Sequence, residues 1–388
     1  IERNTTMTEK LYEHDPYLSR HSATVLSCDE RGGKYEVVLD RTAFFPEGGG
    51  QAYDTGTIDN APLIDVQIQN EIITHLCDEP LTVGGSVICE VDAAQRLRRM
   101  QCHSGEHIVS GLIHRLHGLD NVGFHLGSSD VTLDTSGTLS DDELQRIEYL
   151  ANEAVAKNVP IRAIYPTPDE LSRYDYRSKL DLTDGVRLIE IPGYDLCACC
   201  APHVRRTGEI GMIKLISHIN YKGGLRIHML CGARALDYYS MRCAQTSAIG
   251  ELLSVKDHEC ADAVASLLSR LDDSKRERDE LVRSIIAREA EAARPTDGNL
   301  VFVLPQAFAQ GLRELVNLAL PKCGGICAAF AGSDGTYTFI AASTGVDLRA
   351  ISKEMLSALS GKGGGRPEMI HGSVTCTAAD IHRYFETE

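Results

Sequence analysis

The sequence predicts an α+β protein of several domains, and three features carry that prediction. Residues 22–91 alternate short β-rich runs with turns, residues 93–232 mix strands with long helices, and residues 233–294 contain no proline and space their apolar residues at three and four. A chain of 388 residues is also too long for one compact core.

Taken in order, residues 1–92 form the first predicted domain. Runs at 23–26, 34–39, 62–66, 72–76 and 86–91 read as strands of a small antiparallel barrel or sandwich. Between the second and third of them lies Thr42 to Gly56, in which Gly48, Gly49 and Gly50 are flanked by Phe44, Phe45, Glu47 and Gln51. Consecutive glycines let backbone approach another group closely, and a plain linker rarely carries such neighbours.

The second domain, 93–232, opens with a helix from about Asp92 to Gly118. Strands follow at 122–126 and 130–134, then a helix capped by Ser140 and running to Lys157 with acidic residues in its first turn. Strands at 161–165, 186–191, 209–216 and 224–229 complete a two-layer α+β domain. Residues 233–297 read as a long helical or coiled-coil spacer, or a helical hairpin. Its stripe of Leu252, Leu253, Val264, Leu267, Leu268, Leu271, Leu281, Val282, Ile285 and Ile286 would serve as a dimer seam. Residues 298–388 form an α/β module that ends in the glycine-rich stretch Lys362, Gly363, Gly364, Gly365, Arg366. Bare glycine amides beside two cations suit an anion cradle, although the spacing is not that of a P-loop.

Composition bounds the function. No apolar run approaches the roughly 20 residues that cross a membrane, and the amino end lacks a signal-peptide core, so a cytoplasmic address and no membrane partner are expected. Thirteen scattered cysteines argue for reduced thiols rather than a secreted disulfide framework. A formal charge of -16 opposes non-specific nucleic-acid binding, leaving only local basic patches: Arg96-Arg98-Arg99, Arg205-Arg206, Lys222 with Arg226, and Lys362 with Arg366.

The chemistry concentrates in two segments. His103 and His107, four apart on a helix, leave the same face, and Cys199 and His203, four apart beside Pro202, sit in a turn. Three imidazoles and a thiolate suit tetrahedral Zn2+. The thiolate is open among Cys197, Cys199 and Cys200, with spacing weakly favouring Cys199. A rival reading takes His103-x-x-Glu106-His107 as the H-x-x-E-H signature of a zinc metalloprotease, with Glu106 activating water and Glu190 or Glu209 as third ligand.

Taken together, the Phe45-to-Gln51 loop, His103 and His107, Cys199 and His203 followed by Thr207-Gly208-Glu209-Ile210-Gly211, and the terminal glycine-rich stretch resemble the alanyl-tRNA editing proteins. The match is to the long AlaX form, related to the editing and carboxyl-terminal domains of alanyl-tRNA synthetase. The resemblance implies a zinc-dependent aminoacyl-tRNA deacylase that hydrolyses mischarged tRNA(Ala) in trans, chiefly Ser-tRNA(Ala) and also Gly-tRNA(Ala). It implies His103, His107, Cys199 and His203 as zinc ligands, and Gly48, Gly49, Gly50 and Gln51 as the amino-acid pocket. Ser104, Glu106 and Gln51 are then candidate catalytic residues: Ser104 as a hydroxyl for substrate or water, Glu106 as a base. Arg96, Arg98, Arg99 and the Lys362-to-Arg366 stretch would hold tRNA(Ala), and the spacer with the carboxyl-terminal module would form a homodimer. Two motifs depart from the usual pattern: Cys200-Ala201-Pro202 replaces G-G-T, and Ser104 replaces threonine. A non-catalytic, zinc-containing tRNA-binding scaffold is the remaining alternative.

Overall fold

Six strands of the amino-terminal segment close on one another in the order Arg20–Arg31, Lys34–Leu39, Ile72–Cys77, Ala61–Gln69, Gly56–Ile58, Ser86–Val91. This is seen in a computed structural model that describes residues 7–127, 131–178 and 185–386. The alternation predicted for the last strand holds residue by residue: Val87, Cys89 and Val91 point inward, whereas Ser86, Ile88 and Glu90 do not. Phe44 and Phe45 fill the interior with Val25, Val37, Leu39, Ile58, Val66 and Ile73. The two phenylalanines therefore anchor the glycine loop that follows them, since burying each aromatic ring stabilises its position by roughly 2–3 kcal/mol.

Helix α1 (Ala93–His117) leaves the barrel capped by Asp92, whose carboxylate accepts from Gln95 N–H at 2.9 Å. It ends at Gly118, which takes the left-handed conformation at φ 65°. Helix α2 (Asp141–Lys157) starts with the predicted Ser140 cap, a reciprocal capping box with Glu143. Both helices contribute to the core of a four-stranded antiparallel sheet, ordered Ile213–Tyr221, Gly224–Cys231, Val131–Thr135, Asn121–Leu126. Asp130, the first residue of the predicted strand 130–134, lies outside the described residues. A separate three-stranded sheet, Arg162–Ile164, Leu188–Ile191, Asp195–Ala198, delivers the chain to Cys199. Residues 207–210, which include the start of a predicted strand, form a 3-10 turn, and the strand starts only at Ile213. Gly208 and Gly211 favour that turn over extended pairing, Gly211 at φ 73°.

The chain divides into two compact units, Ile1–Gln245 and Thr246–Glu388. The predicted spacer is two helices, α3 (Gly232–Leu253) and α4 (Cys260–Ala292), broken where Ser254 takes φ 57°. In the second unit, Ile286 and Ala290 of α4 pack on α5 (Leu312–Ala319). Most of the predicted stripe stays uncovered: Leu252 is 86% exposed, Leu268 58% and Leu271 49%. A mixed five-stranded sheet runs Leu300–Pro305, Cys327–Ser333, Thr336–Ala342, Met369–Val374, Gly361–Arg366. Helices α6 (Leu348–Ala358) and α7 (Ala378–Glu386) contribute to its second core, around Phe330, Phe339 and Phe385.

The glycine-rich stretch is a correction. Gly361–Arg366 is not a loop but the edge strand of this sheet, laddered to Met369–Val374. A Cβ on Gly363 would lie 2.4 Å from the His371 carbonyl oxygen, so Gly363 serves close strand contact, whereas Gly364 has open space around it. Lys362 and Arg366 remain exposed on it.

Candidate metal centre and cleft

His103 and His107 leave α1 one turn apart, and the loop after the strand Asp195–Ala198 folds Cys199 and His203 onto them. The four ligand atoms all lie within 4.8 Å of one another, three of the residues being buried and Cys199 half-buried. Cys199 Sγ stands 3.6 Å from His103 Nε2 and 3.3 Å from His203 Nε2. A tetrahedral ion with bonds of roughly 2.0–2.3 Å would separate its donors by roughly 3.3–3.8 Å, so the set fits one. Among the three neighbouring cysteines only Cys199 belongs to this quartet; Cys200 is exposed, and Cys197 lies beside His107 and Asp195.

Each imidazole is oriented from behind. His103 Nδ1–H donates to Gln51 Oε1 at 2.9 Å, His107 Nδ1–H to Asp195 Oδ2 at 2.9 Å, and His203 Nδ1 sits 3.0 Å from Ser104 Oγ. With Nδ1 engaged, each ring keeps its Nε2 lone pair for a metal. Arg177 clamps Asp195 through Nε at 2.8 Å and a terminal nitrogen at 2.9 Å, and also donates to Ser110 Oγ at 2.8 Å. Arg187 donates to the carbonyls of Cys199 and Ala201, both at 2.9 Å, and so braces the ligand loop.

The electrostatics agree. Burial pushes the Cys199 thiol up, but the charges of His103 and His203 and hydrogen bonds from His103 and His107 outweigh it and hold the thiol well below its ordinary value. Burial raises the carboxyl of Asp195 too, yet hydrogen bonds from His107 and Arg177 keep it low. Burial pushes the His203 imidazole down to about 3, against the pull of the neighbouring Cys199.

The quartet opens on a cleft of about 1840 Å³ lined by His103, Glu106 and His107, by Gly49 and Gly50, and by Phe124, Arg177 and Cys199. Gly48 and Gln51 exchange two backbone hydrogen bonds of 3.0 Å, closing a tight turn in which Gly49 has φ 59° and Gly50 φ 82°. Gly50 presses against the strand Asn121–Leu126: a Cβ there would lie 2.4 Å from the Phe124 carbonyl oxygen.

Several expected roles change. Ser104 is fully buried, and its oxygen accepts from Val204 N–H at 3.3 Å besides meeting His203, so it braces a ligand. Glu106 is 3% exposed rather than a surface carboxylate, and it accepts from Asn121 Nδ2 at 2.7 Å. Arg96 is 3% exposed and saturated by Asp54, Pro16 O and Ala43 O; Arg99, mostly buried, binds Tyr53 O. The Arg96 guanidinium is taken up by its partners, and both arginines tie α1 to the glycine loop. Arg98 is exposed and pairs with Asp237 at 2.7 Å. Neither Glu190, beside Arg162 at 3.8 Å, nor Glu209, bound to Tyr17, joins the metal cluster, which removes the third ligand that the metalloprotease reading requires. Asp195, Arg177, Asn121 and Arg187 were missed. Asp195, four residues before Cys199, had a usable signal as a carboxylate beside a ligand loop; Arg177 had none.

A family model described as "Threonyl and Alanyl tRNA synthetase second additional domain" matches residues 186–228, and one described as "tRNA synthetases class II (A)" matches residues 17–95. Alanyl-tRNA editing protein AlaX-L of Pyrococcus horikoshii is 27% identical over 97% of this chain and 96% of its own length. Alanyl-tRNA editing protein Aarsd1-A of Xenopus laevis is 30% identical over 72% of each chain. The alanine-tRNA ligase of Ignicoccus hospitalis is 29% identical over 92% of this chain, which spans only 40% of that ligase. No helix among the described residues is long and apolar enough to cross a membrane. The chain belongs to the alanyl-tRNA editing protein family.

Proposed function

We propose that this chain is a zinc-dependent hydrolase that deacylates mischarged tRNA(Ala) in trans, Ser-tRNA(Ala) foremost and Gly-tRNA(Ala) besides. The observation that carries the reading is the convergence of His103, His107, Cys199 and His203 beside a cleft that the first three of them line together with Gly49 and Gly50. Zinc held by this quartet supplies a fixed positive charge beside the ester. The chain's own residues do the placing. Gln51, Asp195 and Ser104 aim the three imidazoles, and the positive-φ turn sets the backbone of Gly49 and Gly50 in the cleft wall.

Selection against alanine is chemically reasonable. A pocket that hydrogen-bonds a serine hydroxyl leaves buried polar groups unpaired when alanine enters, which discriminates by powers of ten. Gln51 Nε2 is buried with no partner among the described residues, a donor of the kind such a pocket needs. The exposed Lys362 and Arg366 would meet tRNA phosphate from the edge strand. The uncovered stripe of Val264, Leu267, Leu268 and Leu271 supports a homodimer through α4, and a monomer mass by light scattering would rule that out.

Release of labelled amino acid from Ser-tRNA(Ala) and Ala-tRNA(Ala), with Cys199→Ala and a metal assay in parallel, tests the function. Hydrolysis of the serine ester alone, lost together with zinc in the variant, is the expected result. Zinc and tRNA binding without cleavage of either ester would favour the scaffold reading.

A further inference from the structure

We infer that Glu106 is the binding site for the α-ammonium group of the esterified amino acid; the inference rests on the hydrolase reading above for the identity of the ligand. His103, Glu106 and His107 occupy one face of α1 at spacings of three and four, and all three line the cleft. The Glu106 carboxylate is 3% exposed. Asn121 Nδ2, a neutral donor, binds one of its oxygens at 2.7 Å, and no ion pair reaches it among the described residues. Arg177, which feels its charge, is forked onto Asp195 instead. Nor does Glu106 belong to the metal quartet.

Only one of the two carboxylate oxygens of Glu106 carries a hydrogen bond among the described residues, so the other is left to accept from a donor in the cleft that Glu106 lines. The open side of this carboxylate faces the cleft in which the aminoacyl ester is to lie. That substrate carries a primary amine whose ordinary pKa, near 8, leaves much of it protonated at neutral pH. An ammonium donating to the open oxygen of Glu106 fixes the Cα substituents so that the side chain and the ester carbonyl point in defined directions. Asn121 holds the carboxylate in the rotamer that receives it. This assignment replaces the general-base role that the H-x-x-E-H pattern first indicated.

The experiment is calorimetric binding to the full chain of two non-hydrolysable analogues, 3′-deoxy-3′-(L-serylamino)adenosine and its N-acetyl derivative. The wild type is expected to bind the free amine roughly 10- to 100-fold more tightly, the range of a charge-assisted hydrogen bond, and Glu106→Gln to bind the two alike. Glutamine keeps the acceptor for Asn121, so this variant is conservative. A wild type that binds both analogues equally, or neither, overturns the assignment. So does a variant that keeps the preference. If the free amine is preferred while Ser-tRNA(Ala) is not hydrolysed, the hydrolase reading falls and the ammonium site stands.

Discussion

Asp195 Oδ2 lies 2.9 Å from His107 Nδ1, and the same carboxylate is forked by Arg177. One imidazole of the quartet is thereby held by a chain of charges that ends on Ser110. Gly111 permits the approach, since a Cβ there would lie 2.4 Å from the Tyr194 carbonyl oxygen. Asp195→Ala should weaken zinc binding by about 10- to 100-fold, the usual cost of losing a carboxylate behind a ligating histidine. Chelator competition on the purified protein measures it. An affinity within twofold of wild type would show that His107 needs no such anchor.

Arg96 and the pair Lys362 and Arg366 should separate cleanly. Arg96→Ala removes the close partner of a buried ion pair and leaves Asp54 only Arg99, at 3.7 Å, so stability should fall by about 3–5 kcal/mol. Denaturant unfolding reads that loss. Lys362→Ala with Arg366→Ala should leave stability within about 0.5 kcal/mol but weaken tRNA binding and flatten its dependence on salt, by roughly 0.7–0.9 in log–log slope for each phosphate no longer neutralised. Equal tRNA affinity at every salt concentration would move the tRNA surface elsewhere.

This contrast also marks what the sequence could carry. Alternation located the barrel strands, apolar periodicity located the helix that carries His103 and His107, and the Ser140 cap located the helix running to Lys157, because those signals are local. The quartet was legible because identical spacings of four place paired ligands together in helix and turn alike. Arg96 was misread because periodicity reports which face of a helix is apolar, not that a guanidinium on it meets Asp54 from 42 residues upstream. The Lys362-to-Arg366 stretch was misread for a related reason: glycine signals close backbone approach, and only tertiary pairing decides whether a ligand or the strand Met369–Val374 is what approaches. Arg177 reaches Asp195 from a segment without any local motif.

Gly50 should tolerate no side chain. Alanine there meets two penalties, a φ of 82° that costs about 1–2 kcal/mol and a backbone oxygen 2.4 Å from the new Cβ. The turn must then shift, carrying Gln51 away from His103. Gly50→Ala is expected to cut hydrolysis of Ser-tRNA(Ala) at least about tenfold, since misplaced groups lose rate steeply. Gly48→Ala, whose nearest neighbours stand 3.9 Å off, should keep wild-type thermal stability. Comparable melting losses for the two variants would mean that the contact with Phe124 does not constrain the turn.

The barrel interior should make the chain acid-sensitive. His75 is fully buried, Nε2 2.9 Å from Thr42 Oγ1 and Nδ1 3.2 Å from Val37 O, and Phe44 packs between it and His21. Burial pushes His75 down to about 4, reinforced by the neighbouring His21, which burial likewise lowers to about 4. In the unfolded chain both titrate near 6.5, so between pH 6.5 and 4 the unfolded state binds more protons than the folded one. Stability is therefore full above pH 6.5 and declines as pH falls toward 4, by on the order of 3 kcal/mol from His75 and less from the partly solvated His21. The carboxylates of the fold add to the same trend at lower pH. Urea unfolding at pH 7.0 and 5.0 measures the slope, and His75→Gln, which keeps a polar partner for Thr42 without a titrating group, should flatten it. A variant that loses stability in parallel with the wild type over this interval would show that the protons enter elsewhere.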